Sequence, residues 1–341
     1  MKLSYLPLPD EHFFAENKRV EFFYRKIIFL VLGLILVFLL GYWEELGSQK
    51  FIKSLVAVSS EYRAVEYLFR GFTFLADNEF FIILFSVLIW CFNKTLGYTL
   101  AVVILFAGGY NTLLKEIFAL SRPALEGISL PTGYAFPSGH TLLGVVSWGF
   151  LSLKIRKKGF WTWSLFAMAM IGLSRLMLGY HFVRDVLGGL LFGVLFLAIL
   201  LFIAPAVNRE VEKIRLSSSW LMFLAILIPL VIIGISEVVL QREGVILFMG
   251  YISGAVFGYA CTEKAISPAA PGGKGFLQLL KIIIGTAGLI VIVWGIPAVV
   301  PGRAFSLFPF YFLAGLWASL LAPLIFMRLG LSVNPGRQDT S

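Results

Sequence analysis

Apolar runs of about 17–25 residues, the length that crosses a bilayer, recur from one end of this chain to the other. Inside hydrocarbon every backbone N–H and C=O must be paired within the protein, and separate runs of this length satisfy that as helices. The runs fall near 27–43, 78–93, 96–119, 139–153, 160–178, 184–206, 219–240, 245–262, 277–300 and 305–327. The expected fold is therefore all-α and integral to the membrane, with about ten transmembrane helices. Composition agrees: 59% of residues are hydrophobic and 14% charged, against about 45–50% and about 25% in soluble domains.

The net charge of +9 does not indicate nucleic acid, because the basic residues sit in short loops and form no long basic face. They follow a topological bias instead. The N-terminus, Lys94, Lys154 to Lys158, Arg209 to Arg215, Lys264 to Lys281, Arg328 and Arg337 fall on one side and hold 18 of the 28 basic residues. The positive-inside rule puts that side, with both termini, in the cytoplasm. Cys91 and Cys261 lie in or beside spans and cannot form a disulfide framework. The first apolar run ends in Trp43-Glu44-Glu45 without a small-residue cleavage site, which reads as a retained anchor in a cell inner or plasma membrane.

Three parts follow. Residues 1–77 comprise an amphipathic N-terminus, the first span and a helical segment from Gly47 to Asp77. That segment carries Lys50, Lys53, Glu61, Arg63, Glu66 and Arg70, too many charges to cross, so it is expected along the outer interface, partly covering a site. Residues 78–206 form a core and 207–341 a four-span extension. In the extension, Gly250, Gly254 and Gly258 repeat every fourth residue, a spacing for close helix packing or a homodimer contact. Glu237, Gln241 and Arg242 stand near its first outer turn, and 267–275 reads as a flexible loop.

The polar residues of the core gather at the outer ends of its spans. Lys115 precedes Arg122-Pro123 by seven residues, two turns if one helix carries both basic groups. Such side chains also snorkel to the interface. Pro137-Ser138-Gly139-His140 opens the next span, and a serine cap with a small residue at a helix start leaves N–H groups for an anion. Ser174-Arg175 ends the following span, His181 comes next, and Asp185 lies four residues beyond it, within reach if one helix runs through both. A carboxylate on one imidazole nitrogen leaves the other as a lone-pair nucleophile, although a buried His-Asp pair can also simply tie helices together. Arg184 is expected to face headgroups. Charges at one depth in a membrane cost at least ~2.5–3.5 kcal/mol each near its centre, so several together call for a shared anion. Near them stand Asp185 and Glu126, too few carboxylates for two metals.

The ordered set K-x6-RP, PSGH and SR-x5-H-x3-D, matched at every fixed position, resembles the type 2 phosphatidic acid phosphatase superfamily, which includes glucose-6-phosphatases and sphingosine-phosphate phosphatases. The resemblance covers about residues 70 to 205 and implies a six-helix phosphatase core, leaving four C-terminal helices outside it. It implies catalysis by His181 as nucleophile, Asp185 orienting it and His140 as acid and base. Lys115, Arg122, Arg175, Ser138 and Gly139 would bind phosphate, with no metal and no cofactor. The expected activity is dephosphorylation of a lipid phosphate or diphosphate at the extracytoplasmic face through a phosphohistidine, with the bilayer and a lipid phosphate as partners. Alternatives are phosphotransfer between lipids, a sugar-phosphate phosphatase of glucose-6-phosphatase type, and a non-catalytic lipid transporter.

Overall fold

The computed structural model describes residues 48–125, 133–213, 217–235, 243–262, 275–295 and 307–332. Among them every regular element is a helix. The run at 27–43, Glu126, 237–242 and the loop at 267–274 lie outside the described residues. The other nine expected spans each coincide with helix. They are preceded by α1 (Gln49–Glu61) and α2 (Arg63–Phe74), within the charged segment expected at the interface. Then come α3 (Asn78–Val87, continued by a π turn over Leu88–Phe92), α4 (Lys94–Phe118), α5 (Gly139–Ile155), α6 (Lys158–Met177) and α7 (Val183–Lys213). The extension adds α8 (Ser218–Ile235), α9 (Glu243–Thr262), α10 (Gly275–Ile290, with a π turn over Val291–Gly295), α11 (Leu307–Leu316) and, after a π turn over Trp317–Leu321, α12 (Ala322–Arg328).

Five helical stretches are long and apolar enough to cross a membrane, and a sixth if α2 and α3, bent by 55° at their junction, form one broken span. Their outward residues are apolar as lipid contact demands: Phe106, Leu113 and Ile117 on α4, Leu165 and Phe166 on α6, and Phe202 on α7 are all exposed. The protein is membrane-embedded.

Two compact units divide the chain. Among the described residues the first is built from those within 48–80 and 106–210, the second from those within 81–105 and 211–332. In the first, α5 and α6 form a hairpin. Arg156 ends α5 in the left-handed region at φ 57° and donates its N–H to the Ser152 carbonyl at 3.0 Å. Helices α1 and α2 pack on α6: Phe69, Met177 and Leu178 form a buried cluster with Leu55, Val65, Met170 and Tyr180 against it. The Ser59 hydroxyl donates to the Met177 carbonyl at 2.6 Å. Helix α7 approaches the start of α5 so closely that a Cβ on Gly189 would stand 2.7 Å from the Ser138 carbonyl oxygen. Only glycine permits that approach, and it fixes the height of the Pro137–His140 segment relative to Asp185.

In the second unit the glycine stripe has found its partner. A Cβ on Gly250 would stand 2.8 Å from the Phe308 carbonyl, one on Gly254 would run into the Phe312 carbonyl, and one on Gly258 into Ser319. From the other helix, Gly315 faces the Tyr251 carbonyl. The stripe that the sequence left open between packing and a dimer contact is used within the chain, between α9 and α11 with its following π turn. Indole and phenol groups add hydrogen bonds within this unit: Trp90 Nε1 donates to the Ala318 carbonyl at 2.8 Å, and the Ser86 and Tyr251 hydroxyls share a bond of 2.8 Å.

Candidate functional site

All eight residues singled out by the three motifs fall within the first unit. Helix α4 supplies Lys115 from its last turn, whose ammonium donates to the Tyr134 carbonyl at 2.9 Å. Arg122 arrives differently from expectation. The helix stops at Phe118 and Ala119 turns into the left-handed region at φ 48°, so no continuous helix joins the two cations. Pro123 disfavours helical backbone at Arg122, the residue before it, and the chain has already left the helix at Ala119. Arg122 instead enters from an irregular strand of chain, donating from Nε to the Gly133 carbonyl at 3.3 Å and from Nη1 to the Tyr180 carbonyl at 3.1 Å.

The same Nη1 lies 3.3 Å from His181 Nε2. Guanidinium nitrogens only donate, so Nε2 must be the lone-pair nitrogen and the ring proton must sit on Nδ1. That nitrogen faces Asp185 Oδ2 at 3.3 Å. The two contacts select one tautomer from opposite sides. His181 and Asp185 do not share a helix, as the four-residue spacing had suggested. Helix α7 starts at Val183, and Asp185, in its first turn, accepts the Phe182 N–H at 2.8 Å in the manner of a capping box. The cap holds the carboxylate under the ring. Arg184 is nearer this carboxylate than expected, with Nε 3.8 Å from Oδ1.

His181, Asp185 and Arg175 are 2%, 0% and 3% accessible, so the centre is dry. Burial holds the His181 imidazole well below its ordinary range, and the Arg175, Arg122 and Lys115 cations with His140 push the same way. Arg175 stacks over Tyr180, its guanidinium carbon 4.5 Å from the ring centroid, and its Nε has no hydrogen-bond partner among the described residues. A buried cationic donor left without an acceptor is costly unless something else supplies one.

Ser138 stands at the N-cap position of α5 but its side chain does not cap. Its hydroxyl accepts from Thr141 Oγ1 at 3.1 Å, and its N–H donates to the Asp185 carbonyl at 2.9 Å. The serine thereby ties the second motif to the third, while the N–H groups of the first turn of α5 stay without intrahelical acceptors. Asn111 of α4 packs beside Gly139, its side chain 3.4 Å from where a Cβ would be.

Two neighbours of the site went unnoticed in the sequence. Thr73, at the end of α2, accepts a hydrogen bond from Arg175 Nη1. Asp77, at the break before α3, lies with Oδ1 2.6 Å from His140 Nε2. The only available signal was that Asp77 is the last charged residue before a span, at the depth where the motif residues also end.

What such a cluster belongs to is decided by the whole pattern. Residues 96–209 match the PAP2 superfamily, and residues 246–334 match the PAP2 superfamily phosphatase transmembrane extension. The chain belongs to the PAP2 superfamily. Its PAP2 domain holds every motif residue, while α1, α2, Thr73 and Asp77 precede it. Among curated relatives, Phosphatidylglycerophosphatase B of Bacillus subtilis is 28% identical over 114 residues, 31% of this chain and 54% of that protein. Lipid phosphate phosphatase delta of Arabidopsis thaliana is 25% identical over 174 residues, 45% of this chain and 42% of that protein. Undecaprenyl-diphosphatase of Sulfolobus acidocaldarius is 28% identical over 184 residues, 50% of this chain and 87% of that protein. The PAP2 chain thus spans about half the length of the first two relatives.

Proposed function

We propose that this protein removes phosphate from a lipid phosphate or diphosphate at the extracytoplasmic face of the membrane, through a phosphohistidine on His181. The observation that carries the reading is the tautomer of His181, set by a donor on Nε2 and a carboxylate near Nδ1. Arg122 Nη1 faces the lone pair of the nucleophile at 3.3 Å. A bound phosphate draws that guanidinium onto its own oxygens and releases Nε2 to attack phosphorus in line.

Lys115, Arg122, Arg175 and the first-turn N–H groups at Ser138-Gly139 would then hold the equatorial oxygens, where charge develops in the transition state. Asp185 stabilises the imidazolium side of the phosphohistidine. His140 protonates the departing alkoxide or phosphate and later takes a proton from water. All of these groups come from the protein, so the chemistry runs without a metal or cofactor, and EDTA should leave the rate unchanged. The outward-facing orientation is supported by the distribution of basic residues, and a lipid substrate by the named activities of the relatives.

The test is phosphate release by purified protein from a panel of lipid phosphates, with His181→Ala as blank, and alkali-quenched labelling with a phosphate-labelled substrate. An acid-labile, base-stable phosphoprotein lost in His181→Ala is the expected result. Phosphate release that persists in His181→Ala would sink the reading.

A further inference from the structure

We infer that Asp77 is the positioning residue for His140, and that the α2–α3 break exists in this chain to deliver it. Its Oδ1 stands 2.6 Å from His140 Nε2. Asp77 occupies the position just before α3, where an aspartate ordinarily caps the helix, yet among the described residues its carboxylate makes its side-chain hydrogen bond to His140 instead. The Asp77 N–H closes on the Phe74 carbonyl at 3.0 Å, so the turn itself is formed without the side chain. The pair is partly buried, at 30% and 32% side-chain exposure, so its carboxylate bears on the orientation and charge of the imidazole as well as on folding.

The surroundings define what the carboxylate does. The other charged groups acting on His140 are Arg175 and Lys115, both cations that oppose an imidazolium, with His181 beyond them. Asp77 is the anion on that side of the ring. It is also fixed in place: one turn earlier Thr73 receives Arg175 Nη1, and α2 is anchored through Phe69 against Met177 and Leu178. The α2 end therefore supports one phosphate-binding cation and the acid-base histidine together.

The inference rests on the proposed phosphohistidine mechanism. With Nε2–H directed at Asp77, Nδ1 is the nitrogen that exchanges a proton with substrate. In the first step His181 Nε2 bonds to phosphorus, the bond from phosphorus to the leaving oxygen breaks with its pair going to that oxygen, and the Nδ1 proton of His140 follows. In the second, water bonds to phosphorus and gives its proton to Nδ1, while the pair of the P–N bond returns to His181. Asp77 holds the ring through both steps.

Leaving-group dependence separates this role from a structural one. An alkyl lipid phosphate needs a proton on its leaving oxygen, whereas p-nitrophenyl phosphate does not. For Asp77→Ala, kcat/KM for the lipid should fall by about 10²-fold, the scale of general acid catalysis, with kcat/KM for p-nitrophenyl phosphate nearly unchanged. The variant should also show a nitrophenol burst followed by slow turnover, because the second step still needs His140 as base. Asp77→Asn, which keeps an acceptor oxygen in place, should recover part of the loss; it decides the matter alone if the alanine variant does not accumulate. Equal losses on both substrates, with no burst, would assign Asp77 a structural role and overturn the inference. His140→Ala should reproduce the leaving-group selectivity and His181→Ala should be inactive on both substrates. An active His181→Ala would remove the mechanism itself, a result distinguishable from failure of Asp77 alone.

Discussion

The two units bury what a membrane protein finds hardest to bury, and they do so by opposite means. Near the motifs of the first unit, Arg175, His181 and Asp185 are withdrawn from solvent at 3%, 2% and 0% accessibility, and each is held by a partner of complementary chemistry. Between α9 and α11 of the second unit, the close contacts are backbone against backbone, with Gly250, Gly254 and Gly315 facing carbonyl oxygens of the opposite helix. The first arrangement keeps ionisable groups desolvated. The second brings two backbones together without a charged group between them at these glycines. Buried charge is held by complementary partners, and small residues serve where only proximity is needed.

The sharpest way to break this contrast is His181→Ala, expected to lower phosphate release by at least about 10⁴-fold, the scale for loss of a nucleophile, with thermal stability little changed. The complementary experiment is Gly254→Leu, whose side chain has no room against the Phe312 carbonyl. Backbone cannot yield as a side chain can, so the cost should exceed the usual ~1–3 kcal/mol of overpacking and appear as a lower Tm. Gly108→Ala, where nothing lies within 4 Å of the added carbon, is the control and should not lower Tm, since alanine also favours the helix. If Gly254→Leu melts like Gly108→Ala, the second unit is not held by backbone proximity.

How much of this was readable beforehand follows from the same contrast. The motif residues were legible because a cation or imidazole at the end of an apolar run has no background to hide in. The glycine stripe was legible as packing, but a four-residue spacing carries no address, so α11 as its partner emerged only in three dimensions. Asp77 and Thr73 were hidden by company: they close a segment that already holds six charges, and no local pattern marks which of these groups turns inward. The helix through Lys115 and Arg122 failed for a different reason. Pro123 acts on the backbone before it, and Ala119 took up the turn several residues earlier than a helix-stop rule suggests.

Acidity offers a finer test of the desolvated centre. His181 is held below the ordinary imidazole range by burial first and by Arg175, Arg122 and Lys115 after it, so the folded protein favours the neutral ring. Activity should therefore persist below about pH 6.5, the unperturbed value, and the acid limb of kcat/KM should fall only under it. Arg122→Gln removes one of the opposing cations and should move that limb upward, besides raising KM. The stability consequence has the opposite sense to that of a salt-bridged histidine. Below about pH 6.5 the unfolded chain takes up a proton that the folded site refuses, so stability declines as pH falls. An acid limb that stays put in Arg122→Gln would mean that the guanidinium does not govern the nucleophile's charge.

The smallest expected effect lies on α2 itself. Glu66 and Arg70 pair at 2.8 Å one turn apart, with side chains 35% and 54% exposed, on the same helix that ends in Thr73 and leads to Asp77. An exposed pair at this spacing contributes about 0.3–0.5 kcal/mol, so Glu66→Ala should shift Tm slightly and leave kcat/KM alone. Thr73→Val should do the reverse, because it strips an acceptor from a buried guanidinium that is proposed to hold phosphate; a loss of about 1.5–3 kcal/mol is usual for hydrogen bonds to charged groups. One helix then carries two charge-bearing contacts of similar length and opposite importance, and what separates them is water. If Glu66→Ala slowed turnover as much as Thr73→Val, burial would not be the variable that sorts function from surface on this element.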